Sequence, residues 1–209
     1  MRIDPAPMQP QDIYRLLTGI VVPRPIAWVT TQSAAGIVNL APFSCFTFVS
    51  SKPPMVGINV GLRNGEQKDT ARNILESKNF IVNIADETMA EKIHLSGVAH
   101  PYDVSETTVL GLETVPGEKV SVPRLAMAPV SMECVLRHDI QFGTTGSTFL
   151  VGEVVMFHLR DGLCENNKVD TRALRPICRI GGPNYAALGE IYSMRNVADV
   201  ATGPSDRVE

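Results

Sequence analysis

The chain has 209 residues, with Lys plus Arg 19 against Asp plus Glu 22, a hydrophobic fraction of 44% and a charged fraction of 20%. That size and balance fit one β-rich domain spanning 1–209 with a packed core, and exclude global disorder. The net charge of -3 argues against a surface that coats nucleic acid or an anionic membrane. No apolar run reaches the roughly 18 residues of a membrane span. The opening MRIDPAPMQPQDIYRLL lacks the basic-then-apolar order of a signal peptide, so none is expected. The four cysteines, Cys45, Cys134, Cys164 and Cys178, form no C-x-x-C pair. Zinc-ribbon and thioredoxin-type readings therefore fail, and reduced thiols in a cytoplasmic protein are expected.

In chain order, an arm of about residues 1–18 comes first. Within it 11–18 predicts a short helix, with Pro10 near its start and Gly19 just past its end. Strands are predicted at 26–31, 37–49 and 55–62, all rich in β-branched and aromatic types. A helix follows at 69–77, capped by Asp69 or Thr70, with Ala71, Ile74 and Leu75 as its apolar stripe. After a strand at 80–85, a third helix at 87–95 opens at Asp86 and closes at Gly97, with Met89 and Ile93 inward. Between Pro101 and Glu118 there are four acidic and no basic residues, the composition of a solvated loop. The segment 131–142 alternates. Met132, Cys134, Leu136, His138, Ile140 and Phe142 share a dry face; Ser131, Glu133, Arg137, Asp139 and Gln141 share a wet one. GTTGS at 143–147 turns it into a further strand at 148–159, giving a long hairpin. The tail from about 196 to 209 is polar and expected to be loosely held. Few helices and many strands mean a barrel or a sandwich.

Several chemistries are excluded outright. No two glycines stand two apart, so G-x-G-x-x-G is absent and a Rossmann dinucleotide site with it. There is no phosphate-binding G-x-x-x-x-G-K-[ST] loop, no G-x-S-x-G elbow and no H-E-x-x-H helix. His94 and His100 lack a clear third ligand, so no metal site is expected.

The positive signal lies between Pro23 and Lys78. Strand 55–62 sets Val56, Ile58, Val60 and Leu62 against Gly57, Asn59 and Gly61. The small face admits either a flat group or a tightly packed neighbour. NLAPFSCFTFVSS mixes hydroxyls and amides (Asn39, Ser44, Thr47, Ser50, Ser51) with the rings of Phe43, Phe46 and Phe48, the two surfaces needed by a planar ligand with a polar tail. KDT opens a helix, where free N–H groups beside Lys68 and Thr70 make either an anion site or, as at most capped helices, an ordinary start with a solvated Lys68. Ser50, Ser51 and Lys52 add donors from the strand end.

The run PRPIAWVTT, then NLAPFSCF, SSKPP, KDT-x-x-N-I and F-I-V-N-I, in that order and spacing, resembles the flavin reductase-like family of FMN-binding split barrels, which includes flavoredoxin-type proteins. RIGGPNY at 179–185 is similar to that family's late R-x-G-G-x-x-Y element. The resemblance implies a six-stranded antiparallel Greek-key split barrel with a few flanking helices, and a homodimer with FMN near the subunit interface. It implies that Ala41, Pro42, Phe43 and Ser44 lie against the isoalloxazine, with Arg24 and Asn39 flanking. It makes Ser50, Ser51, Lys68 and Thr70 partners of the ribityl chain and phosphate, and places Arg179 and Tyr185 near the nicotinamide side or the other subunit.

The activity so implied is hydride transfer from NADH or NADPH to bound FMN, then electron transfer to a monooxygenase or another acceptor, with the flavin doing the chemistry. An FMN-binding electron carrier or sensor without nicotinamide turnover is the alternative. A 2′-phosphate on the donor would want Arg63, Arg72 or Arg179. Three residues near these motifs have competing readings. His138 is a hydrogen-bonded core histidine or a proton carrier beside the flavin. Glu153, among apolar neighbours, is paired or exposed. Cys45 is expected to be packing.

Overall fold

The computed structural model describes residues 1–194; the polar tail expected at 196–209 lies outside them. Three helices match the periodic segments: α1 (Pro10–Ile20), α2 (Asp69–Ser77) and α3 (Ala90–Leu95), the last preceded by a 3-10 turn at Glu87–Met89. The main strands are β1 (Ala27–Gln32), β2 (Val38–Phe43), β3 (Phe46–Ser51), β4 (Pro54–Val60), β5 (Asn79–Ile84), β6 (Val130–Gln141) and β7 (Thr148–Leu159). They form one antiparallel sheet in the order β2-β1-β5-β6-β7-β4-β3. No described helix is long and apolar enough to cross a membrane.

The sheet has seven strands rather than six because the run 37–49 is two strands, not one. It breaks at Ser44–Cys45, and its halves go to opposite edges of the sheet. Two residues of extended chain reach roughly 7 Å, whereas the edges of a flat seven-stranded sheet would stand roughly 29 Å apart. The sheet therefore has to curl until its edges meet at this corner. The Asn59 N–H donates to the Cys45 carbonyl at 2.8 Å and pins the corner to β4, while no ladder joins β2 to β3. This is the split of the barrel.

Inside, Ala27, Val29, Ile58, Phe80, Val82 and Leu150 are buried, and α2 closes one opening with Ala71 and Ile74. The Phe80 ring lies on Gly152, where an added Cβ would come within 2.4 Å of the ring. Gly152→Ala is therefore expected to destabilise the fold by about 1–3 kcal/mol through overpacking, read as a lower urea midpoint at unchanged m-value. The small face of β4 is explained the same way: the Phe149 ring sits on Gly57, 2.2 Å from where a Cβ would stand. Of the two readings of that face, tight packing holds at Gly57, whereas at Gly61 nothing lies within 4 Å of where a Cβ would stand.

The clean two-faced alternation expected of 131–142 fails at both ends. At the start of β6, Ser131 and Glu133 are buried as fully as Met132 and Cys134, because residues 118–122 roof the outer face. Further on, register shifts between Glu133 and Cys134 and between Leu136 and His138 break the period of two. His138 ends exposed and without a side-chain hydrogen bond among the described residues, so it is not a core histidine. Glu153 is paired: Arg137 Nε donates to its Oε2 at 2.7 Å. Cys45 is exposed rather than packed.

The acidic stretch 101–118 is not merely solvated. β2 is an edge strand, so the Leu40 N–H has no ladder partner on that side. Glu106, from a short helix at Glu106–Val109, is buried and accepts that N–H at 2.9 Å. Burial pushes the Glu106 carboxyl above its usual range, and the Leu40 N–H pulls against this.

Candidate functional site

Two groups of predicted residues lie at the two ends of one strand, β2. The first surrounds the start of α2. Neither Asp69 nor Thr70 caps this helix. Lys68 occupies the N-cap position, and no side chain accepts the first N–H groups. Thr70 is buried and engaged: Asn39 Nδ2 donates to its hydroxyl at 3.0 Å and to Thr31 Oγ1 at 3.2 Å. Asn73 Nδ2 joins the same Thr31 oxygen at 3.0 Å, and Tyr102 donates to Asn73 Oδ1 at 2.8 Å. This network fixes the helix start against β1 and β2, and its first N–H groups have no side-chain cap among the described residues.

Lys68 is half-buried, with its Nζ 5.8 Å from the centre of the Phe43 ring. It makes no ion pair among the described residues, whose carboxylate pairs are taken by Arg15, Arg72, Arg137, His158 and Arg175. Burial holds its pKa below the usual lysine value, and Arg63 lowers it further. A desolvated ammonium beside an uncapped helix start is electrostatically short of an anion.

The second group gathers where β2 ends. A cleft of about 40 Å³ is lined by Ile26, Pro42, Ser44, Arg179 and Tyr185. Four of those five are predicted site residues, and the two late ones are 135 or more residues away from the others in sequence. A small sheet brings them there: Arg24–Pro25 pairs with Cys178–Arg179, which pairs with Tyr185–Ala186. Arg24 is buried and fastens the junction. It donates to the Thr18 carbonyl at 2.6 Å, to Val21 at 2.7 Å, to Ile180 at 3.1 Å and to the Ser44 hydroxyl at 3.3 Å. Four of its five N–H groups are used within the chain, so it chiefly shapes the cleft.

Arg179 donates to the Gly182 carbonyl at 2.7 Å and to the Tyr185 hydroxyl, and stacks over the Tyr185 ring at 4.5 Å. His94 Nδ1 lies 3.3 Å from the same hydroxyl. His94 lies outside the motifs that mark this site in the sequence, and its contact to Tyr185 spans 91 positions.

Ser50 and Ser51 are not drawn into either group by a side-chain bond. They sit at the far end of β3, where Ser50 Oγ accepts the Lys52 N–H at 3.2 Å. Exposed His138 makes no side-chain hydrogen bond to either group. Ala41 lies between the groups, paired with Val29 and packed on the barrel core.

Comparison with known proteins bears on the family and the fold. The sequence model of a family described as flavin reductase like domain matches residues 19–174. An uncharacterized protein of Halalkalibacterium halodurans is 42% identical over 199 residues, covering 93% of this chain and 95% of its own. The crystal structure of nitrilotriacetate monooxygenase component B from Bacillus cereus superposes with a TM-score of 0.90 at 37% identity, over 93% of this chain and 98% of that one. The 2-nitrobenzoate 2-nitroreductase of Pseudomonas fluorescens gives a TM-score of 0.86 at 32% identity, over 99% and 100% of the two chains.

Proposed function

Since this chain belongs to the flavin reductase-like family, we propose that it is an FMN-dependent oxidoreductase, taking hydride from NADH or NADPH and passing electrons to an acceptor. The observation that carries this reading is an uncapped α2 start beside β2, with a Lys68 that has no ion pair among the described residues and reaches the Phe43 ring, next to the Arg179–Tyr185 cleft at the end of the same strand. A phosphate tail fits the first and a ring edge the second. Likeness to a monooxygenase component supports a partner monooxygenase as one class of acceptor.

In this reading Lys68 and the N–H groups of the α2 start hold the phosphate, while Asn39 and Thr70 keep that start rigid. The main chain of Ala41, Pro42, Phe43 and Ser44 meets the ring, with Arg24 holding Ser44 in place. Ser50 and Ser51, at the far end of β3 and bonded to neither group, take no part in the binding. Arg179 and Tyr185 close the far side. Bound flavin supplies the hydride and electron chemistry, and the chain supplies position and polarity. The cleft is too small to enclose a ring system, so the ring lies on an open face. A second protomer covers that face in the homodimer.

Anaerobic addition of NADH or NADPH to the protein with FMN tests this. The 450 nm flavin band is expected to bleach with at least one donor at a rate proportional to protein. If FMN binds and neither donor bleaches it, the protein is an electron carrier or sensor and the reductase reading is wrong.

A further inference from the structure

A second hollow, of about 480 Å³, shares no residue with the face just described. It opens where residues 126–129 pass beside the end of β7, and its walls include Arg124, Met127, Phe157, His158, Arg160 and Asp161. Two guanidinium groups thus meet a single wall carboxylate. His158 is already engaged on both ring nitrogens, its Nε2 2.6 Å from buried Glu133 and its Nδ1 3.8 Å from Glu118.

Arg124 lines the hollow with a guanidinium that makes no side-chain hydrogen bond or ion pair among the described residues, and its Nε is closed off inside the protein without a partner. Buried donors in folded proteins are almost always satisfied, and one left without an acceptor costs about 1–3 kcal/mol. Arg160 is anchored through Nη2 to the Ala173 carbonyl at 3.1 Å, which leaves the rest of its fork for another acceptor. Opposite this polarity, Met127 and Phe157 expose 38% and 52% of their surface. A thioether and an aromatic ring left open beside two guanidinium groups suit an organic anion better than an inorganic one. The volume falls within the roughly 300–1,000 Å³ of small-molecule sites. A planar carboxylate matches the guanidinium fork.

We propose that this cavity binds a small carboxylate with an apolar, ring-sized body, its carboxylate held by Arg124 and Arg160 and its body against Met127 and Phe157. The site is separate from the flavin face and does not depend on it.

The test is a titration of benzoate into FMN-saturated protein labelled at the methionine methyl groups, followed by NMR. The Met127 methyl signal is expected to move saturably with benzoate and not with the same concentration of inorganic phosphate. Arg124→Gln is expected to weaken the apparent affinity at least tenfold while the other methionine signals keep their positions. Should that variant fail to fold, Arg160→Gln is expected to weaken binding likewise. The proposal is overturned by a silent Met127, by an equal response to phosphate, by unchanged binding in the arginine variants, or by a response confined to Met55 on β4. A second copy of the chain that covers Phe157 and keeps benzoate out gives the silent Met127 and overturns it too. The same titration on flavin-free protein gives the same answer, so a failure here is distinguishable from a failure to bind FMN.

Discussion

Lys68→Met lowers the affinity for FMN about 10- to 100-fold, corresponding to the roughly 1.5–3 kcal/mol of a charge-assisted contact, and leaves the affinity for riboflavin within about twofold. Riboflavin has the same ring and ribityl chain but no phosphate, so it separates loss of the anion site from general damage. The substitution keeps the length of the stem over the Phe43 ring and removes only the charge. The pH dependence follows from the same group. In the free protein burial, with help from Arg63, holds the Lys68 ammonium below its usual pKa. It therefore loses its proton earlier on the alkaline side than an exposed lysine. Affinity for FMN, but not for riboflavin, is expected to fall as pH rises through that lowered value, and isothermal titration at several alkaline pH values reads both slopes. Equal losses for the two flavins on Lys68→Met would remove the phosphate from α2.

Removal of the Glu133 carboxylate produces the largest loss of stability expected from one side chain. Its side chain is fully buried, and it accepts the N–H groups of Glu118 at 2.8 Å, Lys119 at 2.6 Å and Val120 at 2.9 Å, with His158 Nε2 at 2.6 Å. Through these bonds it ties the roof at 118–122 to β6. Glu133→Ala leaves three N–H groups and an imidazole without their acceptor, a loss of about 3–5 kcal/mol by the measure of broken buried pairs. Urea unfolding followed by the fluorescence of Trp28 checks it. A loss under 1 kcal/mol would mean that water replaces the carboxylate. The sign with pH is fixed by the direction of the Glu133 shift. Burial acts to raise its pKa, but the Glu118 N–H, the His158 ring and the Lys119 and Val120 N–H groups together hold it below the ordinary carboxylate value. Its contribution is therefore complete above the unfolded-state pKa and is lost as pH falls through the lower folded-state value. The wild type is expected to lose stability in acid more steeply than Glu133→Ala.

The elements with strong local period were legible in the sequence. Helix 69–77 matches α2 residue for residue, and the 131–159 hairpin was placed by GTTGS, where Gly143 and Gly146 take positive φ. The break at Ser44–Cys45 was not legible. Both halves of 37–49 have good strand composition, and what separates them is the return of the chain across the barrel opening. The roles on β6 failed for a related reason: two bulges and a roof contributed by residues 118–122 decide what is buried there, and neither leaves a periodic trace.

At the candidate site, the ordered motif from Pro23 to Lys78 lies on β2 and the start of α2, residues that are close in sequence as well as in space. What it could not show was how their groups are spent. Arg24 and Thr70 have the chemistry of ligand partners, yet the Arg24 guanidinium and the Thr70 hydroxyl bond within the chain. His94 meets Tyr185 through a long-range contact. The Arg124–Arg160 cavity is assembled from loop residues with no motif at all.

The most direct measurement is a crystal structure of the protein soaked with FMN. The phosphate is expected against the first N–H groups of α2 with the Lys68 ammonium beside it, and the ring against Ala41–Ser44 with an edge toward Tyr185. Flavin density in the Arg124–Arg160 cavity instead, or a β2 face covered by the protein's own side chains with no flavin bound, would contradict the account.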